Sequence, residues 1–172
     1  MRWLLLLLVL LAVPVHAAVT PNSYITPQTS KTTTTHFVQG TDTAGTYKTI
    51  YVPTSTSGSR IVGIWVTTTD GSLSHLVTVA VSSSTSSHCG TMATSTTCAP
   101  GAAVTVAANS GFAASTPAVN LLTSTNWPGL PVDSDGNPYL ALSDNTQTIE
   151  LTFATALTSS TKLSVTVIAS DF

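Results

Sequence analysis

TIELTFATALTSSTKLSVTVIA, residues 148 to 169, decides the fold. Ile149, Leu151 and Phe153 fall on one side of an extended chain, and Thr148, Glu150 and Thr152 on the other. From Lys162 to Ala169 the pattern returns, with Leu163, Val165 and Val167 opposite Ser164 and Thr166. A period of two marks a strand with one face in a core. The spacing therefore predicts two strands whose polar faces meet water or a partner.

Working outward, alternation and short apolar runs predict further strands at Lys48–Val52, Arg60–Thr68, His75–Val81, Ala103–Ala107, Ala118–Leu122 and Tyr139–Leu142. Turn residues punctuate them: Ser57-Gly58, Asp70-Gly71, Pro100-Gly101, Pro128-Gly129, Asp135-Gly136 and Asp144-Asn145. No window carries a helical period. Ile61, Val62, Ile64, Trp65 and Val66 are apolar in both registers, which predicts a central strand buried on both faces; an exposed Trp65 would instead mark a contact surface. The fold class that follows is all-β, an antiparallel β-sandwich or jelly-roll-like single domain over residues 47–172.

The 172-residue chain is 42% hydrophobic but only 7% charged, so hydroxyls carry its solubility. Ser and Thr make up roughly a third of it, well above ordinary usage. Met1-Arg2, the apolar run Trp3 to Val13 and the small residues around Ala17 read as a signal peptide over residues 1–17. The run is shorter than the ~20 residues a membrane span needs, so no stable membrane anchor is expected. Beyond Ala17, Lys31, Lys48, Arg60 and Lys162 are too few and scattered for the basic stripe that nucleic acid requires. Residues 18–46, with Pro21, Pro27 and the polar run Lys31 to Thr35, read as an extended N-terminal arm that Tyr24 and Ile25 could tie down.

Residues 129–140, GLPVDSDGNPYL, hold two aspartates before Gly136. An EF-hand register would put Pro131 first and Leu142 twelfth, where ligands belong. A hairpin turn fits better, because Gly136 tolerates positive φ. A weaker calcium site using Asp133 and Asp135 stands as the alternative, and under the turn reading Asp133→Asn changes little.

PNSYITPQ (21–28), GLPVDSDGNPYL (129–140) and ASDF (169–172) resemble small, mostly uncharacterised structural proteins of tailed bacteriophages and prophages. The resemblance implies a non-enzymatic β-domain of the virion, decorating the capsid or sitting in the tail or neck. It further implies capsid or tail subunits as partners, or self-association, for instance as a trimer. Two features depart from that pattern. An export leader is out of place on a subunit assembled in the cytoplasm, and the segment from His88 to Pro100 looks inserted.

The two cysteines point the same way. Behind a leader, Cys89 and Cys98 read as a disulfide, worth roughly 2–3 kcal/mol for so short a loop. His88 with both cysteines offers a rival metal site, but the fourth ligand would have to come from distant His75 or His36.

Sequence motifs for catalysis are missing: no G-x-S-x-G, no H-E-x-x-H, no phosphate-binding glycine loop. Ser72 and His75 read as solvated surface. The chain is thus expected to be no enzyme and to need no cofactor or metal. The second functional class is an exported adhesin-like or carbohydrate-binding module, stacking glycans on Trp65, Trp127 or Tyr139. Localisation is expected outside the cytoplasm, at the periplasm, cell surface or medium, or in the virion. The intact mass of exported protein should lack the first seventeen residues; full-length protein in the soluble cytoplasm would contradict the leader.

Overall fold

A computed structural model describes residues 29–83, 89–90 and 98–172. The leader, Tyr24 and Ile25 lie outside the described residues, as does His88. Among the described residues nine strands follow in order: β1 Thr29–Val38, β2 Lys48–Tyr51, β3 Ser59–Thr68, β4 His75–Ser82, β5 Cys98–Val106, β6 Val119–Asn120, β7 Leu140–Leu142, β8 Thr148–Phe153 and β9 Lys162–Asp171. The expected strands are all present, with Ala118–Leu122 shortened to a two-residue pairing and Ala103–Ala107 extended back to Cys98.

Two antiparallel sheets pack as a β-sandwich. One runs β1-β9-β3, with β6 and β7 sharing the far edge of β3; the other runs β2-β8-β4-β5. Leu163, Val165 and Val167 of β9 and Ile149, Leu151 and Phe153 of β8 fill the space between them, as the alternation predicts. Phe37 meets Phe153 edge-on with ring centroids 5.6 Å apart.

Four expectations are corrected. First, β3 is not buried on both faces. Its register against β9 shifts between Ile61 and Gly63, a bulge that adds one residue. Ile61, Ile64 and Val66 therefore all point inward, while Val62 and Trp65 point out, 46% and 38% exposed. An apolar run readable in both registers here encodes a bulge.

Second, the polar side of β8 does not meet water. Thr148, Glu150 and Thr152 are buried on the outer face of their sheet. Residues 89–90 lie over that face, where the Cys89 N–H donates to Glu150 Oε2 at 2.8 Å and the Tyr47 N–H donates to the Gly90 carbonyl at 3.0 Å.

Third, Pro100-Gly101 is no turn. Both sit in β5, an edge strand where a missing N–H is tolerated, beside a register shift between Thr78 and Ala80 of β4. A Cβ on Gly101 would come within 2.1 Å of the Trp127 ring, so the glycine makes room for that indole.

Fourth, residues 29–38, which the sequence places in the arm, form β1 and pair with β9 from Thr29–Asp171 to Val38–Lys162. Apart from the buried Phe37, this strand is held by backbone pairing and by side-chain bonds such as Thr34–Thr166 at 3.1 Å and His36–Ser164 at 2.9 Å.

Asp171 closes the end of β9 onto β2 and β3. Its carboxylate is buried and accepts hydrogen bonds from the hydroxyls of Tyr51 (2.6 Å), Ser59 and Thr54 and from the Thr54 N–H (3.3 Å). Burial opposes ionisation, but the hydroxyls of Ser59, Thr54 and Tyr51 outweigh it and hold the pKa down at about 2. Because the folded value lies below the unfolded one, the stabilisation is present above pH ~4 and is lost as pH falls toward ~2, amounting to about 2–3 kcal/mol. Asp171→Asn should lower stability at neutral pH and flatten the acid limb of the unfolding curve between about pH 4 and 2. An acid limb parallel to that of the parent would assign the acid sensitivity elsewhere.

Candidate interaction face

The outward side of the β1-β9-β3 sheet carries hydroxyls around an apolar centre, with exposed Val38 and Lys162 paired at one end. Side chains alternate across each strand, so Thr32, Thr34 and His36 of β1 and Ser164, Thr166 and Ile168 of β9 share this face with Val62 and Trp65 of β3. Gly63 is what lets the indole lie across the sheet. A Cβ at Gly63 would sit 3.0 Å from Trp65 Nε1 and 3.7 Å from Ile168 Cδ1. Val62, Trp65 and Ile168 thus form one exposed cluster bordered by Thr and Ser. Opposite Trp65 in β6, Asn120 holds its amide oxygen 3.0 Å from the Leu122 N–H, so this edge is fixed by a side chain bonded to its own loop.

Of these residues, Trp65 alone is marked by the sequence as a candidate for contact. Ile168 was legible as an apolar residue on the polar side of β9. Val62 was not, because its direction depends on the bulge.

Arg60 builds one corner of the same face. Its Nη2 donates to Asp133 Oδ2 at 2.9 Å, and its guanidinium stacks over the Tyr139 ring at 4.3 Å. Tyr139 is therefore covered on one side by a cation, and Trp127 packs against Gly101 and the core. Among the described residues, Trp65 is the one of the three aromatics expected to offer stacking platforms for which no such partner stands on the outward side.

Asp133 organises the 131–139 turn. Its Oδ1 accepts the N–H groups of Asp135 (3.0 Å) and Asn137 (2.9 Å), and its own N–H donates to the Asn137 carbonyl at 3.0 Å. The Gly136 N–H returns to the Asp133 carbonyl at 3.0 Å, with Gly136 at φ +82°. These bonds, the Asn137 N–H first among them, and the nearby guanidinium hold the Asp133 carboxyl below the usual range. The segment has the geometry of a hairpin turn with an Asx bond, and its first carboxylate is spent on the backbone and on Arg60. Asp133 thus also pairs with Arg60, a partner outside the turn itself.

Cys89 and Cys98 form a disulfide with Cα atoms 5.6 Å apart. Buried Cys89 and partly exposed Cys98 lie beside Glu150. Tyr47 is close enough that burial, and then the charge of Glu150, push its hydroxyl pKa up.

The expectation that Ser72 and His75 are solvated surface fails for His75, which is fully buried. Its Nδ1 lies 3.0 Å from the Thr155 carbonyl and its Nε2 3.2 Å from Asp70 Oδ2. Asp70, also buried, accepts the N–H groups of Ser72 (2.9 Å), Leu73 (3.1 Å) and Thr158 (3.0 Å). Burial works against its ionisation, yet these N–H groups hold its pKa far below the normal value. Both ring nitrogens of His75 are thus spent on fastening the β3–β4 turn to the β8–β9 loop.

No family model and no curated protein matches the chain. Among solved structures, a chain of the "Cyanophage Pam1 capsid asymmetric unit" aligns over 84% of this chain and 84% of its own length, at 13% identity and a TM-score of 0.38. A likeness that distant carries no functional argument.

Gly136→Ala should cost about 1 kcal/mol or more, since alanine must enter a positive-φ conformation. Asp133→Ala should lower the melting temperature more than Asp135→Ala, which removes no anchor of the turn. Melts in calcium and in chelator should coincide; a calcium-dependent rise that disappears in Asp135→Asn would show the turn to be a binding site.

Proposed function

We propose that this chain is a non-enzymatic structural or decoration protein of a phage particle or phage-derived assembly. In this reading it docks through the outward face of the β1-β9-β3 sheet and through the segment preceding β1. The observation that carries the reading is the Val62–Trp65–Ile168 cluster, an exposed apolar patch bordered by Thr and Ser hydroxyls, which is the composition of a protein-contact surface. The resemblance of the stretches at 21–28, 129–140 and 169–172 to phage structural proteins supports the class of partner. The Cys89–Cys98 bond supports a location outside the reducing cytoplasm.

Carbohydrate binding is a second reading, favoured by the indole of Trp65 lying among Thr and Ser hydroxyls. The two readings differ in stoichiometry and ligand. A decoration subunit self-associates, for instance as a trimer, or binds a particle lattice; a glycan-binding module works as a monomer.

Trp65→Asp and Ile168→Asp should each abolish self-association or particle binding, measured by mass photometry and co-sedimentation, while leaving the far-ultraviolet circular dichroism unchanged. Undiminished assembly in both variants would reject this face as the contact. A folded monomer that binds glycans and loses them in Trp65→Ala would favour the second reading.

A further inference from the structure

We propose that Cys89, Cys98 and Glu150 form a redox-gated zinc site: a disulfide beside a carboxylate when oxidised, and a two-thiolate, one-carboxylate ligand set when reduced. The two sulfurs and a carboxylate oxygen of Glu150 already lie within 4.8 Å of one another. Zinc bound at about 2.3 Å from sulfur and about 2.0–2.2 Å from oxygen holds its ligand atoms roughly 3.5–4 Å apart in a tetrahedron. That spacing lies within the 4.8 Å over which the three ligand atoms are already gathered.

Glu150 is fully buried on an outer sheet face, and its carboxylate already accepts the Cys89 N–H at 2.8 Å, so the acid and the first cysteine are held side by side. The cross-strand neighbour of Glu150 on β4 is Ala80, and the small side chain leaves room above the sheet for Cys89 to lie. Cys98 enters the same face through Ser82, which pairs with both Cys98 and Thr148. The three ligands thus come from separate places: the segment over the sheet, the first residue of β5 and the middle of β8. The two strand residues are fixed by the ladder. Cys98 is the partly exposed member, so solvent reaches the site from its side and water supplies the fourth ligand.

The chemistry balances with a dithiol as reductant. The dithiol passes two electrons and two protons to the Cys89–Cys98 bond and is itself oxidised to a disulfide, leaving two cysteine thiols. Zinc then displaces the two thiol protons to solvent, so that two Zn–S bonds replace one S–S bond. His88, the ligand the sequence suggested beside the cysteines, is not needed; Glu150 takes that place, and its separation from Cys98 in sequence concealed it.

The test uses the full mature chain, fully reduced and kept anaerobic, with cobalt(II) as the spectroscopic stand-in for zinc. The reduced protein should bind one cobalt per chain, with a thiolate-to-metal charge-transfer band and the intense visible absorption of four-coordination, and the oxidised protein should show neither. Glu150→Gln should weaken zinc binding at least tenfold in a chelator competition. Should Glu150→Gln fail to fold, Cys98→Ser leaves the buried carboxylate in place and must lose charge-transfer intensity and zinc affinity. X-ray absorption of the reduced, zinc-loaded protein should show two sulfur scatterers with oxygen or nitrogen completing the shell. A reduced parent without a thiolate band, a sulfur-free shell, or zinc affinity unchanged in a folded Glu150→Gln would overturn the proposal.

Discussion

A carboxylate on the outside of a sheet, with no exposure to water, has to be covered by another part of the chain. Glu150 stands in β8, the strand between β2 and β4, and its position would face solvent in a sandwich open on both sides. Burying it without compensation would cost several kcal/mol. The Cys89 N–H supplies part of that compensation, and both the disulfide to Cys98 and the Tyr47 N–H bonded to the Gly90 carbonyl hold its segment there. One sheet is thereby covered over Glu150, and the other keeps an open face. The two outward faces are therefore unequal, one covered at Glu150 and the other exposing Val62, Trp65 and Ile168.

The same logic recurs at other buried acids of this charge-poor chain. Asp171 is surrounded by hydroxyls and an N–H, and Asp70 by three N–H groups and an imidazole. Each sits where chain segments distant in sequence must be held together: β9 to β2 and β3, and the β3–β4 turn to the β8–β9 loop. Ser, Thr and backbone donors do the work that lysine and arginine share in more highly charged domains. Hydroxyls that coat the surface also line these inner sockets, which ties the composition to the architecture.

The strands carrying period-two alternation, β8 and β9 above all, were legible because their inward side chains alternate without exception from Ile149 to Phe153 and from Leu163 to Val167. β1 was not, since nine of its ten residues lack the burial that writes a pattern; it is a strand by virtue of pairing with β9. The bulge in β3 scrambled the parity of a run that looked two-sided, and it moved Trp65 from core to surface. Asp133 and Gly136 were readable as a turn from local chemistry alone. Arg60, Glu150, Asp70 and His75 were not readable as partners, because their contacts span sequence separations that only the assembled sheets bring together, or, for Asp70 and His75, a carbonyl and an N–H from the β8–β9 loop.

The central claim is that the outward face of the β1-β9-β3 sheet, and not the outer face of the other sheet, makes the contact. Hydroxyl-radical footprinting of the dissociated and the assembled or particle-bound protein tests it most directly. Trp65 and Ile168 should be oxidised in the free protein and protected on association, while Leu76, exposed on the other sheet, keeps its reactivity. Protection of Leu76 with Trp65 and Ile168 still oxidised would contradict the account.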